Sequence, residues 1–262
     1  MKDLSAAFFE LGITLSEEQK TQFLQYYELL VEWNSFMNLT AITEFDQVIT
    51  KHFLDSLSLV KVCDVAQAGR ILDVGTGAGF PGMPLAILCP QTEFVLLDAL
   101  RKRIDFLNEV IAELGLTNVT AVHARAEDYA RDNRGTFDLA VSRAVADLRV
   151  LSELALPMVK VGGAFLAMKA EDCTEEVETA ANARTVLGAP DAEVLHYTVP
   201  FDRGFPRHRA PAENAGNTGK VSAPLQENTD FAAVNQARNI RKVPLCTENY
   251  RGYFLPENRE KL

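Results

Sequence analysis

One stretch limits what this chain can fold into more than any other: Ile71-Leu-Asp-Val-Gly-Thr-Gly-Ala-Gly-Phe-Pro-Gly82. The apolar run from Arg70 to Val74 predicts a buried strand, and it ends in an acid and three alternate glycines, Gly75, Gly77 and Gly79. Glycine in such a loop permits positive φ and lets a ligand reach backbone that a Cβ would cover. Past Pro84 the sequence turns helical, so the loop joins a strand to a helix N-terminus, where open α/β sheets bind nucleotides. The spacing is G-x-G-x-G, not the dinucleotide form G-x-G-x-x-G, because Phe80 stands where the third glycine would be. A second apolar run, Glu93 to Leu97, ends at Asp98, about 20 residues past the glycines, where an acid suits the two hydroxyls of a ribose. Asp is also a favoured helix N-cap, and Leu100 to Leu114 is helical, so a purely structural role for Asp98 stays open. Together the two features point to nucleoside binding.

Strand and helix then alternate to about residue 200. Strand runs fall at 70–74, 93–97, 119–123, 137–142, 163–168 and 193–199, with helical stretches near 84–89, 101–114, 147–159 and 172–187. That alternation predicts an α/β fold, a doubly wound and mostly parallel sheet whose strand ends converge on one crevice. The occupants of those ends are Asp73 and Gly75, Asp98, Ala124-Arg-Ala-Glu127, Ser142-Arg-Ala144 and Lys169. Before the sheet, Ser16-Glu-Glu-Gln opens a strong helix with Phe23, Tyr26, Tyr27, Leu30 and Trp33 on one broad face, read as core. A second helix runs from about Glu44 to Val62. His52 and Asp55 share a face there, read as a structural pair with no chemistry assigned.

Composition excludes several classes. No apolar run resembles a signal peptide or approaches a membrane span, so a cytoplasmic protein is expected. Cys63, Cys89, Cys173 and Cys246 are scattered without metal-like pairing and read as reduced thiols; no metal is expected. The Asn38-Leu-Thr40 triplet reads as a chance match to a glycosylation signal. The net charge of −10 opposes a nucleic-acid partner, but it is uneven. Residues 201–262 hold 10 Lys and Arg against 7 Asp and Glu, a balance of +3, whereas 1–200 hold 16 against 29, or −13. From Arg203 to Gln236 the composition turns to Pro, Ala, Asn and Gly with little periodicity, as in a mobile loop. Asn239 to Leu245 reads as an edge strand, and Tyr250-Arg-Gly-Tyr-Phe254 mixes basic and aromatic residues that suit RNA contact, or simply a loosely docked end.

The glycine loop resembles that of class I S-adenosylmethionine-dependent methyltransferases, and the wider pattern is more specific. Asn38-Leu-Thr40, Lys51-His-Phe-Leu-Asp-Ser-Leu57, Asp73 through Gly82, Leu97-Asp-Ala-Leu-Arg-Lys-Arg103, Arg125-Ala-Glu127, Ser142-Arg-Ala144 and Gly162-Gly163 with Lys169 together resemble the small-subunit ribosomal RNA methyltransferase G family, RsmG or GidB. The resemblance covers residues 1 to about 200. It implies a Rossmann-like domain over 66–200 with an N-terminal helical extension, 1–65, packed on the sheet. An irregular, mobile insertion over 201–237 and a last edge strand with a basic tail over 238–262 complete the expected organisation.

The resemblance further implies S-adenosyl-L-methionine as cofactor and N7 of one guanine in 16S rRNA of the small ribosomal subunit as target; a monomer is expected, although nothing in the sequence itself fixes the oligomeric state. The family's cofactor contacts fall on Gly75, Phe80, the Ala126–Glu127 pair and Arg143, to which the loop logic adds Gly77 and Asp98. Arg143 suits either the methionine carboxylate or a substrate phosphate. Guanine N7 has an exposed lone pair and loses no proton on methylation, so alignment matters more than a general base, and no catalytic residue is assigned. The tail departs from the family's basic Tyr-Pro-Arg ending; Phe205-Pro-Arg207, Lys242 and Tyr250-Arg251 are the candidates here. A small-molecule methyltransferase of the same fold and a non-enzymatic S-adenosylmethionine-binding assembly factor remain as alternatives.

Overall fold

A computed structural model describes residues 4–143, 146–169, 173–195 and 199, and the backbone of 253–257. Two helices come first, α1 (Leu4–Phe9) and α2 (Glu17–Met37). The expected cap of α2 is present in reciprocal form: Ser16 Oγ accepts from Gln19 N at 3.1 Å and Gln19 Oε1 accepts from Ser16 N at 3.0 Å. Two of the first-turn N–H groups that a helix leaves unpaired are thereby satisfied. Asn38, in the left-handed region at φ 51°, ends the helix. Of the predicted apolar face, Phe23, Tyr26 and Leu30 are fully buried, while Tyr27 and Trp33 are half-buried.

The second helix is helical throughout but not uniform. α3 (Phe45–Val48) widens into a π-helical turn over Ile49–Leu54, returns as α4 (Asp55–Leu57) and tightens into a 3-10 turn over Ser58–Lys61. A π turn adds one residue per turn and changes which side chains share a face. Its residues turn inward here: Ile49, Thr50, His52, Phe53 and Leu54 are all buried.

The sheet follows: β1 (Arg70–Val74), α5 (Gly82–Leu88), β2 (Glu93–Asp98), α6 (Arg101–Glu113), β3 (Val119–His123), α7 (Ala126–Asp132), β4 (Phe137–Arg143), α8 (Leu148–Ala155) and β5 (Val159–Met168). The strand order is β3-β2-β1-β4-β5, and every neighbouring pair is parallel. The chain therefore winds outward from β1 to β3, crosses back, and continues through β4 to β5. β1 lies at the reversal, and the crevice beyond its carboxyl end is where the connections diverge. β5 starts at Val159, four residues before the expected strand: Val159 already pairs with Phe137 of β4, and the register shifts before Ala164 pairs with Leu139, where Gly163 lies so close that a Cβ would sit 2.5 Å from the Asp138 carbonyl oxygen.

After α9 (Thr174–Thr179) and α10 (Ala181–Val186), β6 (Asp191–Leu195) pairs antiparallel with β7 (Tyr253–Glu257) in a separate two-stranded sheet. The run expected as a strand over 193–199 thus begins at Asp191, and its described residues Asp191–Leu195 pair antiparallel. The expected insertion over 201–237, the run Asn239 to Leu245, Phe205-Pro-Arg207, and Tyr250-Arg251 lie outside the described residues, as does Ala144.

One aromatic chain ties the N-terminal helices to the sheet. Phe23 packs on Phe8 and Phe53 with ring centroids 4.8 and 5.2 Å apart, and Tyr26 lies 5.3 Å from Phe53 and 5.5 Å from Phe80. Each such buried ring contributes about 1.5–3 kcal/mol of burial free energy. Phe80 belongs to the glycine loop, so the helical layer braces the loop directly. The Tyr26 hydroxyl donates to the Ala78 carbonyl at 2.5 Å, and burial pushes that phenol well above its ordinary pKa.

Candidate active site

The glycine loop is held in shape from below by Asp73. This carboxylate is fully buried at the end of β1; its Oδ2 accepts from Thr76 Oγ1 at 2.7 Å and from Gly82 N at 2.8 Å. Its Oδ1 has no partner among the described residues. Burial raises the Asp73 pKa to about 6, even though the two hydrogen bonds and Arg143 pull it down. Gly75 and Gly77 take φ 70° and 63°, conformations that a side chain resists. A Cβ on Gly77 would meet nothing within 4 Å, so this backbone faces open space. Gly82 is present for a different reason: a Cβ there would lie 2.3 Å from Leu96 Cδ2 and 2.8 Å from Asp73 Oδ2. Its small size lets α5 start directly against β1 and β2.

Above the loop lies a cavity of about 490 Å³, lined by Gly75, Thr76, Gly77, Ala78 and Phe80 from the loop. Asp98, Ala99, Leu100 and Arg103 line it from the end of β2 and the start of α6, Arg143 from β4, Leu39 and Thr40 from the segment after α2, and His52 from the π turn. The volume lies within the range of about 300–1,000 Å³ found for small-molecule sites. Asp98, only 4% exposed, projects into it: Oδ1 accepts from Leu100 N at 2.8 Å, and Oδ2 accepts from Gly77 N at 3.0 Å and from Arg103 Nη1 at 3.1 Å. It is not the N-cap of α6, which is Leu100.

Arg143 is held inside the fold. Its Nη1 donates to Asp55 Oδ2 at 2.8 Å, with both side chains almost wholly buried, and its guanidinium lies 4.8 Å from the Phe80 ring centroid. A cation over a ring face is attracted by the ring quadrupole. His52 stacks on the same Phe80 at 4.6 Å and meets Thr40 Oγ1 through Nε2 at 2.8 Å. The two residues read from sequence as one structural pair thus engage different partners, because the π turn rotates them apart: His52 faces Thr40 and Asp55 faces Arg143.

Of the residues singled out from sequence, Gly75, Gly77, Phe80, Asp98 and Arg143 line this one cavity. Ala126 and Glu127 do not. Ala126 opens α7, and Glu127 is half-exposed and pairs with Arg125 at 2.8 Å, a contact that holds its carboxyl below the usual range. Thr40 and His52 line the cavity although sequence reasoning gave neither a site role, and Arg103 lines it with them. The only signal for Thr40 and His52 was position, in the Asn38-Leu-Thr40 break and the helix after it. Neither Cys63 nor Cys89 is a ready nucleophile, since burial pushes the Cys63 thiol up to about 12 and that of Cys89 to about 11. The arrangement offers a carboxylate for a diol, exposed loop backbone, an aromatic face and a fixed cation, which together suit binding and alignment.

The family model and the curated relatives agree on one family. The family model for rRNA small subunit methyltransferase G (GidB) matches residues 19–203. A ribosomal RNA small subunit methyltransferase G from Lachnoclostridium phytofermentans is 53% identical over 192 residues, covering 72% of this chain and 79% of its own length. One from Streptococcus sanguinis is 47% identical over 210 residues, covering 79% and 88%. Among solved structures, a SAM-dependent O-methyltransferase from Thermotoga maritima superposes with a TM-score of 0.51 at 16% identity, over 89% of this chain and 72% of that one, a likeness of fold alone. The matched span contains β1 through β5, the glycine loop and every lining residue of the cavity, and the chain belongs to the rRNA small subunit methyltransferase G family.

Proposed function

We propose that this chain transfers a methyl group from S-adenosylmethionine to N7 of a guanine in 16S rRNA of the small ribosomal subunit, with the cavity over β1, β2 and β4 as its cofactor site. The observation that carries the cofactor assignment is the Asp98 carboxylate beside the bare backbone of Gly77, in a cavity of suitable size. Asp98 would accept from the ribose hydroxyls, and Gly75 and Gly77 would let the loop backbone close on the ligand. Asp55 occupies Nη1 of Arg143, so Nε and Nη2 remain as donors for the methionine carboxylate. Phe80 supplies an apolar wall between the loop and the N-terminal helices.

The bound cofactor supplies an electrophilic methyl group. The chain's own part is to hold an incoming guanine in line with it and to exclude water, because the N7 lone pair attacks without losing a proton. Leu39, Thr40 and His52, on the wall supplied by the N-terminal region, are placed to receive the base. Ala126 and Glu127 begin α7 at the end of β3, beside the end of β2, and would contact adenine if the ligand extends past Asp98.

The test is incubation of the purified protein with labelled S-adenosylmethionine and unmethylated small subunits, followed by mass mapping of the 16S rRNA. Label at one guanine, with the strand scission by borohydride and aniline that N7-methylguanine undergoes, is the expected result. Label on free metabolites alone, or tight cofactor binding without transfer to any ribosomal particle, would each defeat the proposal.

A further inference from the structure

Asp98 is too fully engaged to hold a ribose as it stands. A carboxylate has about four lone-pair positions. Three are taken, by Leu100 N on Oδ1 and by Gly77 N and Arg103 Nη1 on Oδ2. A vicinal diol brings two O–H donors, so one existing donor has to leave. The two backbone amides are fixed: Gly75 N and Thr76 N bind the Leu97 carbonyl at 2.8 and 3.1 Å, anchoring the segment that carries Gly77, and Leu100 begins α6. Arg103 is the movable partner, with 38% of its side chain exposed at the cavity wall.

Arg103 also sits where local stability does not favour it. The first turn of α6 reads Arg101-Lys102-Arg103 with no acid, although the positive end of a helix dipole favours acids there. Arg101 is 72% exposed and Lys102 is exposed. Arg103 lines the cavity, Arg101 and Lys102 precede it in the same helical turn, and although Arg101 pairs with Asp105 at 3.4 Å, the start of α6 is a local basic site on a body that carries −13 over residues 1–200.

Building on the proposed function, we propose that Arg103 is a cofactor-gated RNA contact. The ribose of the cofactor displaces Arg103 from Asp98, and the released guanidinium, beside Arg101 and Lys102, takes a phosphate of the RNA. Without cofactor Arg103 is neutralised by Asp98 and its phosphate contact is lost. Cofactor binding therefore strengthens RNA binding, and by linkage RNA strengthens cofactor binding by the same factor.

The experiment measures the affinity of the full chain for unmethylated small subunits against salt, with and without saturating S-adenosylhomocysteine. One added phosphate contact steepens the slope of log affinity against log salt by roughly 0.7–0.9. The wild-type chain is expected to show that increment. Arg103→Gln is expected to lose it, Arg103→Lys to keep it, and Arg103→Gln to bind S-adenosylhomocysteine at least as tightly as wild type in calorimetry. A wild-type slope that S-adenosylhomocysteine leaves unchanged while it binds overturns the gate but not the proposed function, and needs no folded variant to be read. A tenfold loss of S-adenosylhomocysteine affinity in folded Arg103→Gln overturns it too, by making Arg103 part of the cofactor grip. Failure of the wild-type chain to bind S-adenosylhomocysteine at all overturns the proposed function and the gate together.

Discussion

Replacing Asp73 with asparagine isolates the cost of the charge on which the glycine loop is folded. Both donors to Asp73, Thr76 Oγ1 and Gly82 N, bind the same oxygen, and an amide oxygen in that place would accept them equally. The other oxygen has no partner among the described residues, so an amide nitrogen there would be buried without an acceptor. That loss costs about 1–3 kcal/mol at every pH. The charge behaves differently. Burial raises the Asp73 pKa from 3.8 to about 6, so the native state holds the proton more tightly than the unfolded chain. Stability from this group is full below pH 3.8 and is lost as pH rises through about 6, a change of about 3 kcal/mol in all. Of this, about 2 kcal/mol falls between roughly pH 4.5 and 7.5. Asparagine cannot titrate. In urea unfolding across that interval, the stability difference between Asp73→Asn and wild type should therefore move by about 2 kcal/mol in favour of the variant. A difference that stays constant with pH would refute the idea that Asp73 is buried as a costly carboxylate.

The remaining predictions concern the walls of the cavity. Asp55→Ala leaves the Arg143 guanidinium buried without its ion pair and should cost about 3–5 kcal/mol in urea unfolding, with Asp55→Ala/Arg143→Met recovering part of the loss. Gly79→Ala places a Cβ 2.6 Å from the Tyr26 hydroxyl and 2.9 Å from Leu107 Cδ2 at φ 100°, and should lower stability by about 2–5 kcal/mol in the same assay. Gly77→Ala meets no neighbour and should cost only about 1–2 kcal/mol of backbone strain, yet weaken S-adenosylhomocysteine binding in calorimetry by intruding on the cavity. Asp98→Ala should weaken that binding by about 1.5–3 kcal/mol with the fold retained, and unchanged affinity would remove Asp98 from the site.

Much of this protein is legible in its sequence because the signals are local. Strand and helix alternation in one direction leaves few arrangements other than a parallel doubly wound sheet, and the observed order β3-β2-β1-β4-β5 is one of them. The glycine loop announces positive φ, and Gly75 and Gly77 adopt it. The capping box Ser16–Gln19 and the aromatic face of α2 follow from spacing alone. Short or marginal elements were not legible. α7 buries only Ala130, which leaves no periodicity to read, and the stretch from Val159, read as the end of a helix, proves to be the start of β5 through its pairing with Phe137.

Pairings between distant segments were settled only by the tertiary structure. His52 and Asp55 sit one turn apart in sequence, and a regular helix would place them together. A π turn, with no sequence signature of its own, sends one to Thr40 and the other to Arg143, 88 residues away. The family resemblance pointed to Arg143 as a contact for cofactor or substrate, but the depth at which Asp55 fixes it depends on the N-terminal helices packing over β4. Asp98 was legible as an acid in the right place; that Arg103 already shares it was not. Spacing along the chain reports which backbone can turn and which face is apolar, whereas the partner of a buried charge depends on what the fold brings beside it.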